Sequence, residues 1–459
     1  MLLISSYFFY MYSVPGYGLL ILGVTLVSYV SARLVEKQTE KKRRKRILTI
    51  NVLICLLLLF FFKYFNFFDG VFDGVMHRVG IQSDFITLNI ILPVGISFYT
   101  FQAMSYVVDV YRGDVEAERH FGKYATFVSF FPQLVAGPIE RTKNLLPQIK
   151  AEHNFDYDQA MTGVKLMLWG YYKKLVVADM LSNYVKTVYD NPTDYKGFSL
   201  VLASVFFSIQ IYCDFSGYSD IAIGTAKLFG INLMTNFKSP YLSESIREFW
   251  GRWHISLSTW FRDYVYIPLG GSRVGKIRHY MNLMITFLVS GLWHGANWTF
   301  VVWGGVHGIG QVIENLLFGK QKKEVQTEQK GVKIFLLRIV RIVLVYSFCV
   351  FAWIFFVAHS LSDALYVIRN SIIGITDPIT YIRNGLADIK FAGSSLFLLV
   401  GVILLIMVLY DVISYKEDFI LMISKKKKII QWVFYIIIGL MVVFFSEKGV
   451  STEFIYFQF

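Results

Sequence analysis

No polar stretch in this chain is long enough to fold as a soluble domain. Apolar runs are spread over nearly all of its 459 residues, of which 55% are hydrophobic and only 17% charged. With a mean hydropathy of +0.51 the chain is too apolar for a soluble protein of this size. Length alone would suggest two or three soluble domains, but this composition overrides it, and one integral membrane domain over residues 1–459 is expected. Cysteine is also scarce. Cys55, Cys213 and Cys349 each lie inside an apolar stretch, with no CxxC and no metal-ligand spacing. That excludes a disulfide framework and a zinc site, and the thiols read as small buried hydrophobes. There is no low-complexity linker and no internal repeat, which argues against a transporter built from inverted repeats. Residues 1–12 are apolar but short, without a basic start or a small-residue cleavage site, so no removable leader is expected.

Acidic residues are outnumbered, 32 against 45 basic, for a net charge of +13. The distribution argues against nucleic acid, because the basic residues cluster between apolar runs. Residues 37–46 hold seven, 320–333 hold five, and 425–428 are four consecutive lysines. This is the positive-inside pattern, with anionic lipid headgroups as counter-ions. All three clusters agree with one topology. It places them in the cytoplasm and puts residues 361–393 and the C-terminal 454–459 outside. Phe 42 and Tyr 29 are high counts that suit interfacial rings and packed membrane helices.

A run of roughly 20 residues spans a bilayer core about 30 Å thick. The clearest runs are 14–34, 47–68, 198–213, 280–306, 334–357, 395–413 and 429–445, and 198–213 continues into a polar stretch. Two others are broken, 86–111 by Pro93 and Gly95, and 124–139 by Pro132, Gly137 and Pro138. Such breaks survive at membrane depth only where the freed backbone groups line a cavity or are buried in protein. The expectation is an all-α integral membrane protein of ten or eleven tilted, partly re-entrant helices. Residues 160–189, with Trp169-Gly-Tyr-Tyr-Lys-Lys174, read as an amphipathic helix at the cytoplasmic interface, its lysines reaching for headgroups.

Titratable groups inside such runs are costly, about 2.5–3.5 kcal/mol for full charges, and mark sites of function. His294, in Ser290-Gly-Leu-Trp-His-Gly-Ala-Asn-Trp298, sits within the 280–306 run. Its imidazole suits a general base for an acceptor hydroxyl, with Gly295 leaving room for a ligand. It suits equally a core histidine hydrogen-bonded to a neighbouring helix. His254 lies among Arg247, Glu248, Arg252, Arg262 and Asp263, with Trp250, Trp253 and Trp260. That segment is too charged to face lipid. It reads as a cavity lining whose arginines suit the phosphates of a donor, or as a solvated loop anchored by tryptophans. Asp214-Phe-Ser-Gly-Tyr-Ser-Asp220 puts two carboxylates in or near the membrane, as a chamber wall or in a direct role. His307 follows His294 by thirteen residues. On one continuous helix that is about 1,300°, some 220° beyond whole turns, so the imidazoles point apart and His307 reads as structural.

At these residues the chain resembles the membrane-bound O-acyltransferase family, in the branch that O-acetylates bacterial exopolysaccharides such as alginate. The matching segments are Leu92-Pro-Val-Gly-Ile-Ser-Phe-Tyr-Thr-Phe-Gln102, Phe131-Pro-Gln-Leu-Val-Ala-Gly-Pro-Ile139 and Ile211-Tyr-Cys-Asp-Phe-Ser-Gly-Tyr-Ser-Asp-Ile-Ala-Ile-Gly224. They continue through Phe249-Trp-Gly-Arg-Trp-His-Ile-Ser-Leu-Ser-Thr-Trp-Phe-Arg-Asp263 and Gly291-Leu-Trp-His-Gly-Ala-Asn-Trp298. The resemblance implies a ring of helices around a central tunnel, with His294 essential and His254 assisting. Arg252, Trp253, Arg262, Asp214, Asp220, Trp293 and Asn297 would surround donor and acceptor. It further implies an acyl thioester such as acetyl-CoA as donor substrate, and no resident cofactor or metal. The acceptor would be a cell-envelope polysaccharide outside a bacterial cytoplasmic membrane, with an extracytoplasmic SGNH-type acyltransferase as partner. D-alanyl transfer to teichoic acid is the nearest rival within the fold. Relatives begin with an additional apolar segment before the one matching residues 7–35.

Overall fold

The computed structural model of the chain describes residues 1–12, 14–80, 92–135, 137–319, 331–387, 394–446 and 454–455. The start of the 86–111 run, most of the 320–333 basic cluster, residues 388–393 and residues 456–459 lie outside the described residues. Among the described residues the chain is helical, without strands. Five helices are long and apolar enough to cross a membrane: Tyr17–Lys37, Lys41–Arg78, Phe198–Leu228, Val332–Val357 and Lys428–Phe445. Other helices, among them Ile96–Arg112, Lys276–His294 and Trp298–Phe318, are shorter or less apolar. The chain divides into two compact units, Met1–Val164 with Ala222–Met234, and Lys165–Ile221 with Thr235–Phe459.

In the first unit, the basic stretch 37–46 is mostly not a loop. Only residues 38–40 turn, and Lys41 to Arg46 open the next helix. The broken 124–139 run behaves as its prolines dictate, ending one helix at Ser129 and starting a short one at Phe131. The Phe131 amide turns to Ser6 Oγ (3.2 Å) instead of closing the helix, and Gln102 Nε2 donates to the orphaned Phe127 carbonyl at 2.7 Å. The break is eased because these two freed backbone groups find side-chain partners.

In the second unit, the helix from Phe198 does not end near Cys213. It runs 31 residues to Leu228 and carries Asp214 and Asp220 inside it. A cation meets each carboxylate: Lys173 Nζ lies 2.6 Å from Asp220, and Lys174 Nζ lies 2.6 Å from Asp214 and 2.9 Å from Asp179. The two helices approach closely because Gly170 and Gly217 face each other, and a Cβ on either would fall within 2.7 Å of the other's carbonyl oxygen. This corrects the interfacial reading of 160–189. Lys173 is buried, and Trp169, Tyr172, Val176, Val177 and Leu181 belong to the hydrophobic core. The lysines do not reach for headgroups because carboxylates neutralise them locally.

The 280–306 run is likewise two helices, Lys276–His294 and Trp298–Phe318, joined by a three-residue tip, Gly295-Ala296-Asn297. Gly291 and Gly304 let the two legs touch, since a Cβ on Gly291 would meet the Phe300 carbonyl oxygen and one on Gly304 the Phe287 carbonyl oxygen. This hairpin places the candidate site.

Candidate active site

His294 is the last residue of the first leg and is buried. Three rings enclose its imidazole: Trp293 at 4.9 Å, Trp303 at 4.9 Å and Phe356 at 5.3 Å between centroids. Gly295, read from sequence as room for a ligand, has another use. The Phe300 ring occupies that space and would clash with any Cβ there. Because the helix stops at His294 and restarts at Trp298, the rotation inferred between His294 and His307 does not apply. Both imidazoles pack on Trp303, at 4.9 and 5.1 Å. His307 Nδ1 accepts from Trp250 Nε1 at 3.3 Å, and its ring lies parallel to Phe249 within the aromatic core.

His254 is fully buried rather than exposed on a solvated loop, and caps the Ile255–Phe261 helix with φ 42°, a left-handed backbone that costs a non-glycine residue roughly 1–2 kcal/mol. Asn236 holds it there. Asn236 Oδ1 accepts from the Ser256 amide (3.2 Å) and hydroxyl (2.9 Å) and faces His254 Nδ1 at 3.2 Å. An oxygen already accepting twice meets a protonated Nδ1, which leaves the lone pair of the neutral ring on Nε2. Burial holds this imidazole well below the usual histidine range, so it is neutral at physiological pH. Strain stored at a buried, oriented imidazole is a mark of a functional position. Trp293 stands between the two histidines, 6.2 Å from the His254 ring and 4.9 Å from His294.

Two cavities flank this cluster from opposite ends of the hairpin. One, of about 700 Å³, borders the tip residues Gly295, Ala296 and Asn297 together with Gln210, Thr299 and Phe356. Its exposed rim carries Lys186 and the pair Asp190–His359, 3.0 Å apart, and Asn297 Nδ2 donates to the His359 carbonyl at 3.1 Å. The other, of about 590 Å³, runs along the legs past Ser290, Thr286, Gln311 and Asn315, and is lined by Arg247, Arg262 and Trp250. His294 lies four residues beyond Ser290, which borders one cavity, and one before Gly295, which borders the other, and lines neither itself.

The remaining candidates separate cleanly. Arg262 borders the leg-side cavity and Asn297 the tip-side one. Arg252 instead pairs with Glu248 at 2.8 Å and stacks on Tyr415 at 4.1 Å. Trp253 is core, packed 5.0 Å from both Phe237 and Trp353. Asp214 and Asp220 are held by Lys174 and Lys173. Sequence reasoning missed Asn236, which no motif marks, and left Arg247 uncommitted although it stands in the same charged run.

With this geometry in hand, likeness to other proteins is informative. A profile of the membrane-bound O-acyltransferase family matches residues 117–358, which contain both histidines and both cavities apart from His359 and Ile455. The chain belongs to that family. It is 39% identical over 79% of its length to "Probable alginate O-acetylase AlgI" of Pseudomonas aeruginosa, covering 68% of that protein. It is 42% identical over 68% of its length to the protein of the same name from Pseudomonas syringae pv. tomato, of which it spans only 60%. A "Peptidoglycan O-acetyltransferase" of Helicobacter pylori is 34% identical over 81% of this chain and 73% of its own. Family and apolar helices together make this a multi-pass membrane protein.

Proposed function

We propose that this membrane-bound O-acyltransferase moves an acyl group, acetyl in the first instance, from a cytoplasmic thioester to hydroxyls of an extracytoplasmic cell-envelope polysaccharide. The observation that carries the reading is the position of His294 in one hairpin between Ser290 and Gly295, each of which borders a different cavity. The leg-side cavity takes the donor, with Arg247 and Arg262 suited to its phosphates. The tip-side cavity, with its polar rim, takes the acceptor. His294 accepts the proton of the acceptor hydroxyl as the new C–O bond forms at the thioester carbonyl. The C–S bond breaks, and the departing thiolate takes that proton back. His254, neutral and oriented by Asn236, assists from the far side of Trp293. No metal and no resident cofactor enters this scheme. The relatives' names support the acceptor class, since two carry alginate O-acetylation and one peptidoglycan O-acetylation.

The test is ester analysis of the envelope glycans with and without the gene, and after its return. Loss and restoration of O-linked acetyl is expected, while unchanged ester content or loss of D-alanine esters alone overturns the reading. Orientation is part of the proposal. A cysteine placed at residue 39 resists impermeant thiol reagents in intact cells and one at residue 372 labels, and the reverse pattern overturns the topology.

A further inference from the structure

Away from its tip, the hairpin stops closing on small residues. Gly308 still lies against the other leg, where a Cβ would come within 2.8 Å of Met284 Sδ. Farther along, bulkier side chains take over and leave a groove of about 440 Å³, lined by Ile277, Tyr280, Met281 and Met284 of one leg and Ile309, Val312 and Ile313 of the other. No charged side chain lines it. Ile277, Met281, Ile309 and Ile313 remain exposed, so the groove opens to the surroundings of the protein and not into its core. The end of the groove at Ile277 is basic. Lys276 and Arg278 flank Ile277 in the chain, Arg273 comes four residues before it, and all three are exposed. Lys276 stands one helical turn before Tyr280 and two before Met284, on the same row of the helix. No acidic residue occurs between Asp263 and Glu314. The Glu314 carboxylate is engaged by the Ile246 amide at 2.6 Å.

We propose that this groove is a binding site for one anionic phospholipid, with an acyl chain lying between the two legs and the phosphate held by Arg273, Lys276 and Arg278. An apolar bed with a cationic mouth matches an amphiphile whose head is negative. A chain seated between two helices touches both, and so makes more dispersion contacts than one lying on a smooth helix face. Met281 and Met284 are flexible enough to fit a chain of irregular shape. A zwitterionic lipid offers the same chain with no net charge, so selection rests with the three basic residues. A basic side chain at an anionic lipid surface is worth roughly fivefold in binding. Three sharing one headgroup set a preference of at least roughly tenfold. The lipid binds the folded hairpin and not the unfolded chain, so it also raises thermal stability. The groove shares no lining residue with the two cavities assigned to donor and acceptor, and its occupant does not depend on the acyl-transfer reading.

The experiment uses the full chain in phosphatidylcholine nanodiscs that carry a trace of a lipid with a photoreactive acyl chain, either phosphatidylglycerol or phosphatidylcholine. Labelled peptides are located by mass spectrometry. The expected result is that phosphatidylglycerol labels the segments 277–284 and 309–313 at least roughly tenfold more than phosphatidylcholine does. Unlabelled phosphatidylglycerol competes the signal away and raises the melting temperature. The triple variant Arg273→Gln, Lys276→Gln, Arg278→Gln labels equally with the two lipids, and Ile309→Trp, which fills the groove, loses labelling of both segments by either. All four substituted side chains are exposed, so each variant is expected to elute from detergent like the wild type. The wild-type comparison decides the matter even if a variant does not. Equal labelling by the two lipids, or a preference for phosphatidylglycerol that survives in the folded triple variant, overturns the proposal. So does a wild type labelled on neither segment, the result that a second copy of the chain seated on the groove would give.

Discussion

Two places in the second unit put ionisable groups deep among apolar helices, and they do so in opposite ways. At Lys173, Lys174, Asp214 and Asp220, each lysine Nζ lies 2.6 Å from a carboxylate oxygen. No cavity described here is lined by any of the four. At His254 and His294 the rings lie among aromatic side chains, with Asn236 facing His254 Nδ1. The imidazoles are packed on tryptophan and phenylalanine, and the residues on either side of His294 in the hairpin border two cavities. Charge at depth is therefore not in itself a sign of chemistry. Where paired and closed off it joins helices, whereas the histidines sit on a hairpin whose neighbouring residues border two cavities.

The sharpest way to break this comparison is to delete the proposed base. His294→Ala is expected to lower glycan O-acylation by roughly 10²–10⁴-fold while the protein stays inserted at normal level. Normal ester content in cells with well-expressed variant protein would remove the distinction between the two regions.

Next comes the paired region. Lys173→Met strips the buried cation from half-buried Asp220, and such a break costs up to about 3–5 kcal/mol. Folded yield and thermal stability in detergent should fall steeply, and the double variant Lys173→Met with Asp220→Leu should recover much of the loss, because no charge is left unpaired. A Lys173→Met protein that is stable yet inactive would mean the network takes part in the reaction.

A smaller effect is expected at His254. His254→Ala should keep measurable turnover at saturating donor, since Trp293 and the leg-side arginines still frame the substrate. Activity as low as that of His294→Ala would make the two histidines one catalytic unit.

The smallest effect is on pH dependence. Because burial keeps folded His254 neutral, only the unfolded chain takes up its proton below an ordinary value of about 6.5. Stability is thus full above about pH 6.5 and falls as pH drops below it, by up to about 1.4 kcal/mol per pH unit. Melting of wild type and His254→Gln in detergent, compared at pH 7.5 and 5.5, should show a gap that narrows at the lower pH. A gap independent of pH would mean that His254 charges freely in the folded state.

Much of this protein was legible in the chain alone. Apolar runs of membrane length, the breaks at Pro93 and Pro132, and the two histidine motifs are local properties, set by hydropathy and by what proline does to a backbone. Other features depend on which surfaces meet, and no local pattern encodes that. Sequence placed Lys173 and Lys174 at headgroups, yet carboxylates on a helix 40 residues away claim them once Gly170 and Gly217 let the two helices touch. Sequence made residues 280–306 one span, whereas the turn at Gly295 brings His294 and His307 onto the same tryptophan. Arg252, chosen for a donor, is taken by Glu248 and Tyr415, and Asn236, which nothing nearby marks, orients His254 from 18 residues upstream. The sequence by itself determined the helical membrane fold and singled out the two candidate histidines. The partners of each polar group, and the cavities beside that base, were decided only by tertiary packing, because both arise where segments distant in the chain come together.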